Sequence, residues 1–394
     1  MAAAAEAAPA AATLSKGVYM SFLKVAPEKN LPQLDGKLAK CGYDWWWHNF
    51  TGKSEKTGKE RGFFIEFFTV NPALSGDDVV LGQDPENKRE GKLPSYLMIK
   101  CGCWGKRHFQ FHKFFPWKDV ELDTKTLCVK AGDCIVTEET LKGSVEISED
   151  EASDPARMTD AGSMTFDLKI EKHLPFNVGY GTSRLFRKMK AFEMYWHVSG
   201  MQTFYSGTVT VNGKKFTVDK ESSFGYADKN WGSDFTTPWL WLSSNHIYSE
   251  KEGRVLKNSA FDIGGGRPKA FNIRFNRKLL SAFCYEGTPL EFNFSKFWTF
   301  TRTYFDCYET DSDIVWKVRQ ENFSFVHVTE IKCPKKEMLL ADYETPKGEK
   351  KFQKLWNGGT GFGKVKIFKK RGFGKKDLID TWIVRNCGCE WGER

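Results

Sequence analysis

The chain has 394 residues and a mass of 45.2 kDa, beyond the roughly 250–300 residues at which one hydrophobic core stops growing, so two domains are expected. Aromatic residues make up 15% of it, against a hydrophobic fraction of 40% and a mean hydropathy of -0.50; this excludes disordered, collagen, coiled-coil and membrane-bundle classes. The net charge of +9 is modest and comes with no recognisable nucleic-acid module, so nucleic acid is not an expected partner, and no protein partner is evident.

Met1 to Leu14 is almost all Ala, with no basic residue before Lys16. It lacks the charged start and continuous apolar stretch of a secretory signal, so a secreted protein is not expected, and the segment is set aside as a disordered tail. From Gly17 onward the pattern is alternation punctuated by turns. Strands are predicted at Phe63 to Val70, Trp298 to Tyr304, Phe323 to Ile331, Val365 to Phe368 and Thr381 to Val384. Asn212-Gly213, between alternating runs from Val209 to Val218, predicts a tight hairpin. Helical spacing is best at Ser183 to Phe192. The predicted fold is all-β, built of many short strands.

Two segments echo each other. Trp45-Trp46-Trp47 precedes Ser54-Glu-Lys-Thr-Gly58-Lys59, and Leu240-Trp241-Leu242 precedes Ser249-Glu-Lys-Glu-Gly253-Arg254, at one constant offset. The echo predicts two related β units, residues 15–200 and 201–394, each suited to a lipocalin-like barrel holding one small ligand. The acidic loop Glu149 to Gly162 is a competing linker.

The ten cysteines include no C-x-x-C pair and do not cluster with the seven histidines, so reduced, buried thiols are expected and no metal is assigned. His108, His112, His246 and His327 read as structural side chains. Seven basic residues crowd Lys364 to Lys376. They read as a solvated strand edge, with peripheral contact to an anionic membrane surface as the alternative use.

Phe224-Gly-Tyr226-Ala-Asp228-Lys-Asn230-Trp231-Gly232 is the most distinctive stretch. In an extended chain Tyr226, Asp228 and Asn230 share one face, while Trp239, Trp241, Ser243 and Asn245 lie together on the following strand. If Trp46 matches Trp241 in the echo, then Asp44, Trp46 and His48 face the same cavity. A carboxyl buried among such rings is pushed toward its protonated form and suits general acid work near neutral pH. Rings beside it stabilise a developing cation. Those are the needs of alkene protonation followed by capture of a carbocation.

The string GYADKNWG, followed by Trp239-x-Trp241-x-x-x-Asn245, resembles the signature region of the tocopherol cyclase family. Tyr195-Trp196-His197, Asp44-Trp-Trp-Trp47 with Gly62-Phe-Phe-Ile-Glu-Phe-Phe68, and Cys389-Glu390-Trp391-Gly392 are similar to motifs of that family and of a wider group of lipocalin-like hydratases and lipid-binding proteins. The resemblance implies two tandem lipocalin-like antiparallel β-barrels and cofactor-independent, metal-free cyclisation of a prenylated hydroquinone to a chromanol. It implies Asp228 as proton donor, Asp44 as the alternate acid, and His197 or Tyr226 as relay of the phenol proton. Trp46, Trp239 and Trp241 would then shield the cation, and Asn230, Trp231, His48 and Asn245 would help hold substrate. Asp228 stands where that family's motif commonly carries Glu, a longer acid. Plastid location is suggested by resemblance alone; a cytoplasmic or membrane-peripheral place is the other expectation. Two rivals need the same cavity: a carrier of a prenyl lipid, and a hydratase of carotenoid-like alkenes.

Gly358-Gly-Thr-Gly-Phe-Gly363-Lys364 matches a phosphate-loop spacing, but Val365 replaces the required Ser or Thr and a strand pattern follows. Neither a magnesium-binding aspartate cluster nor a nucleophile elbow is present.

Overall fold

The computed structural model describes residues 26–178, 189, 192–270, 273–274, 276–341, 343–372 and 374–393. The Ala-rich tail and most of the helix expected over Ser183 to Phe192 lie outside them. Two twelve-stranded antiparallel sheets dominate, with short α-helices at Pro85–Glu90 and Glu149–Ser153. The architecture is all-β, in two tandem lipocalin-like barrels. Among the described residues no helix is long and apolar enough to cross a membrane.

The first sheet runs from Tyr43 to Gly232 and the second from Trp239 to Glu393. Residue 200, the expected boundary, falls inside the strand Met194–Val211, which pairs within the first sheet along its length. Residues 201–232 therefore belong to the first sheet, because Gly225–Gly232 zips between Tyr43–Ser54 and Met194–Val211. The acidic segment after Glu149 is no linker either. It opens with a helix capped reciprocally by Ser148 and Glu151 and returns directly to the same sheet.

Turn chemistry follows the residues. Asn212 and Gly213 take φ of 46° and 73°, the paired positive values of a type I′ hairpin, joining Met194–Val211 to Lys214–Val218. The two echoed turns adopt one geometry: the Gly58 N–H donates to the Ser54 carbonyl at 2.8 Å and the Gly253 N–H to the Ser249 carbonyl at 2.9 Å, with both glycines at φ of 66°. The predicted strand at Trp298 starts later, at Arg302. Phe297–Thr299 instead forms a 3-10 turn, where the Thr299 hydroxyl donates to the Lys296 carbonyl at 2.8 Å.

Among the described residues, apolar side chains gather in three clusters. One around Phe50, Phe63 and Phe166 fills the first barrel, and one around Phe261, Trp316 and Trp382 fills the second. The third draws on both sheets, joining Tyr43, Trp47 and Trp196 to Trp239, Trp241 and Ala282. This shared cluster holds the site. All ten cysteines are free thiols, seven of them buried.

Candidate active site

Register decides which side chains meet. Across the first sheet Trp47 lies opposite Asp228 and Trp45 opposite Asn230, while Trp196 lies opposite Asn230 on the other flank. Cross-strand partners point the same way, so Tyr226, Asp228, Trp45, Trp47 and Trp196 share the face that meets the second sheet. There Trp241 lies opposite Glu390 and Gly264, and Ser243 opposite Asp262. A Cβ at Gly264 would come within 2.6 Å of the Trp196 ring; only glycine lets the indole of one sheet lie on the backbone of the other.

The result is a narrow cleft of about 550 Å³, counted with its open mouth. Trp45, Trp47, Trp239, Trp241, Phe235 and Tyr343 wall it, and two acids, Asp228 and Glu390, open into it. A second void of about 660 Å³, again counted with its open mouth, adjoins it, sharing Met194, Thr236 and Trp239 and continuing over Gly264, Leu280 and Phe294.

The acids are held by indoles and phenols. The Trp196 Nε1–H donates to Asp228 Oδ2 at 2.8 Å, and the Trp241 Nε1–H to Asp262 Oδ1 at 3.0 Å. The Tyr226 hydroxyl lies 3.1 Å from Asp228 Oδ2 and 2.9 Å from Asp262 Oδ2. It has one hydrogen to give. For both contacts to be hydrogen bonds, one carboxyl must itself be protonated and donate to the phenol oxygen. Three groups thus form a chain that keeps a proton inside a buried site.

Glu390 accepts from Trp239 Nε1 and from Asn357 Nδ2, both at 2.6 Å. Glu66 accepts from the Tyr343 hydroxyl at 2.7 Å, and the Lys100 ammonium sits 3.8 Å from the Tyr343 ring centre. On top of burial, neighbouring carboxylates raise the proton affinity of Asp228, Asp262 and Glu66, while the Lys100 ammonium opposes the rise at Glu66 and Glu390. Burial pushes Asp228 up to about 7 against the pull of its two donors, with Glu390 and Glu66 adding to the rise. Burial likewise lifts Glu66 to about 7, Glu390 above its ordinary value, and Asp262 well above it. Asp228 Oδ1 is buried and has no hydrogen-bond partner among the described residues. Asp228 therefore has one oxygen fixed by donors and one unengaged, in a carboxyl whose proton affinity lies near neutrality.

Of the residues expected here, Asp228, Tyr226, Trp239 and Trp241 come together. Asn230 shares their face but accepts from the Tyr43 hydroxyl at 2.9 Å, beside the void. Asn245 ties the sheets together, donating to the Met201 and Gly225 carbonyls at 3.0 and 2.7 Å. Asp44, Trp46 and His48 face away from the cavity, a correction set by strand parity: with Trp47 opposite Asp228, the residues at 44, 46 and 48 point to the other side. Asp44 pairs there with the Lys229 ammonium, fully buried, which also lies 3.7 Å from the Trp46 ring centre. His48 meets the Tyr205 hydroxyl at 2.8 Å. His197, opposite Lys229 in register, and Trp231, stacked on Tyr195 at 5.4 Å, also belong to that far side.

The sequence motifs include neither Asp262 nor Tyr343, and those that contain Glu66, Trp45, Trp47, Trp196 and Glu390 assign them no role. Some signal was present. Asp262 is the lone acid of the apolar and glycine strand Ala260–Gly266, and Glu66 interrupts the apolar run from residue 63 to 68 inside the strand Glu60–Val70, a pattern that marks a buried carboxyl with partners.

Solved structures with related build include an AttH protein of Nitrosomonas europaea (14% identity, 94% of this chain and 98% of that one, TM-score 0.48) and kievitone hydratase from Nectria haematococca (11% identity, 94% of each chain, TM-score 0.47). No curated protein matches in sequence. The model of one family, described as tocopherol cyclase-like, matches residues 124–353, more than half of the chain. The chain belongs to the tocopherol cyclase-like family.

Proposed function

We propose that the protein protonates the tail alkene of a prenylated hydroquinone and closes the ring to a chromanol. The observation that carries this reading is Asp228: a carboxyl with an unengaged oxygen at an indole-walled void and a proton affinity near neutrality. In the protonated state Asp228 gives its proton to the less substituted alkene carbon. The tertiary cation that forms lies among Trp47, Trp241 and Trp239, whose ring faces favour positive charge by about 2 kcal/mol or more when water is excluded. The carboxylate left behind is held by the Trp196 N–H and the Tyr226 hydroxyl. The substrate's phenol oxygen attacks the cation, forming the ether bond, and its proton returns through Tyr226 to the Asp228–Asp262 pair. Substrate and product have the same composition. The second void suits the remainder of an apolar tail.

This role falls to Tyr226, since His197 faces away. Asp44, the alternate acid, is engaged with Lys229.

Incubating the protein with such a quinol and separating products by chromatography with mass detection tests the proposal: an isomeric chromanol is expected. A product heavier by one water would point to hydration, and unconverted, copurified lipid would point to carriage.

Turnover should depend on pH through Asp228. The working acid is the protonated form, so the rate is expected to fall as pH rises through about 7. A rate that stays level across that range would place the proton elsewhere. In Tyr226→Phe one donor to Asp228 is lost, and that donor holds its proton affinity down. The pH at which the rate falls is therefore expected to move upward, with a lower plateau because the relay is cut. An unshifted profile would remove Tyr226 from the acid's circuit.

A further inference from the structure

The loop whose Phe294 and Ser295 help wall the second void goes on to present large rings to solvent. Trp298 is 46% exposed, Phe300 71% and Phe323 78%. These rings come from two turns tied together: the Phe323 N–H donates to the Thr299 carbonyl at 3.0 Å, and Asn322 Nδ2 donates to the Glu291 carbonyl at 2.9 Å. Phe300 takes a φ of 50°, in the left-handed region that disfavours a bulky side chain. Folding alone gives no reason to hold an aromatic ring outward in that conformation. Single exposed apolar residues are ordinary, but several large rings on neighbouring turns mark a binding surface.

Positive charge surrounds the rings. Arg302 lies opposite Glu321 at the base of the turn that carries Phe323. On the other side of that turn Phe325 pairs with Lys369, and the Lys370 N–H donates to the Ser324 carbonyl at 2.7 Å. This brings up the basic hairpin whose exposed side chains include Arg371, Lys375 and Lys376. Two carboxylates oppose them: Glu321, paired with Arg319 at 3.0 Å and with Lys370 at 3.7 Å, and Asp377, paired with Arg371. The cations are in excess.

Exposed Trp and Phe flanked by Lys and Arg match the chemistry of a bilayer interface, where rings enter the headgroup boundary and cations meet anionic lipid. Single-stranded nucleic acid would satisfy the charge and the rings, but it has no use for an apolar void walled by the same loop. We infer that the turns at 296–302 and 322–324, with the basic residues at 370–371 and 375–376, dock the protein on an anionic lipid surface, setting the wall of the second void against the lipid from which an apolar substrate would enter.

Flotation of the full chain with vesicles tests this without any turnover, so it stands or falls separately from the proposed reaction. The protein is expected to float with vesicles of phosphatidylcholine containing a quarter phosphatidylglycerol, and to bind vesicles of phosphatidylcholine alone about tenfold less. The charge variant Arg371→Glu with Lys375→Glu, and the ring variant Trp298→Ser with Phe300→Ser and Phe323→Ser, are each expected to cut binding to the anionic vesicles by about tenfold or more. A melting temperature equal to the parent's shows that a variant is folded; the charge variant, confined to a surface hairpin, decides the matter if the ring variant is not. Absence of parent binding to anionic vesicles would overturn the inference. So would parental binding by the folded charge variant, or binding that single-stranded RNA abolishes in competition while the ring variant still floats.

Discussion

Asp228→Asn is expected to lower the rate of quinol cyclisation by about 10²–10⁴-fold, the range a positioned general acid supplies, while the protein stays folded. The amide still accepts from the Trp196 N–H and nearly fills the same space, but it has no proton to give to an alkene. Its effect on stability has a definite sign. The carboxyl of Asp228 binds its proton at about 7 in the folded chain against an ordinary value of 3.8. Below about 3.8 it is protonated whether the chain is folded or not. As pH rises from there through about 7 the folded state resists ionisation, and the parent loses stability. Asn carries no such load, so the variant is expected to gain on the parent as pH is raised, by at most about 4 kcal/mol. Initial rates and denaturant melts, each at acid and alkaline pH, check both parts. Loss of turnover together with loss of the fold would mean that Asp228 is structural.

Asp44→Asn is expected to do the opposite. The Asp44 carboxylate and the Lys229 ammonium have fully buried side chains, and the Gln33 N–H also donates to Asp44, at 2.7 Å. Burial already pulls the Lys229 ammonium well below its ordinary proton affinity. Removing one member of such a pair strands the other in apolar surroundings, at a cost of about 3–5 kcal/mol. The variant should therefore melt earlier, yet the folded fraction should turn over at close to the parental rate, because Asp44 points away from the void. Parental stability with lost turnover would restore Asp44 as the acid. The double variant Asp44→Asn with Lys229→Met should recover much of the lost stability, since the uncompensated charge is then gone.

Much of this was legible in the residues. Alternation and the Asn212-Gly213 turn predicted the β architecture. The GYADKNWG string led to Asp228 and Tyr226, because alternation within one strand is enough to place residues two apart on one face. The matching turns at Gly58 and Gly253 show that the echo had a structural basis. What failed was the step from one strand to another. Equivalence of Trp46 and Trp241 in the echo does not make the two rings meet: the ring that faces Trp241 is that of Trp47, 6.5 Å away. In a strand one residue reverses every side chain, so Asp44, Trp46 and His48 were assigned to the cavity while Trp45 and Trp47 occupy it. Asp262 and Glu390 reach Asp228 only through pairing of the second sheet and its docking on the first, contacts that local pattern does not specify.

The central claim is proton delivery from Asp228 to an alkene followed by internal capture. Its most direct test is turnover of a prenylated hydroquinone in heavy water, with the product examined by mass spectrometry and NMR. The account predicts a chromanol carrying one carbon-bound deuterium at the position next to the new ether carbon, and no such product from Asp228→Asn. A chromanol without carbon-bound deuterium, or equal labelling by Asp228→Asn, would contradict it.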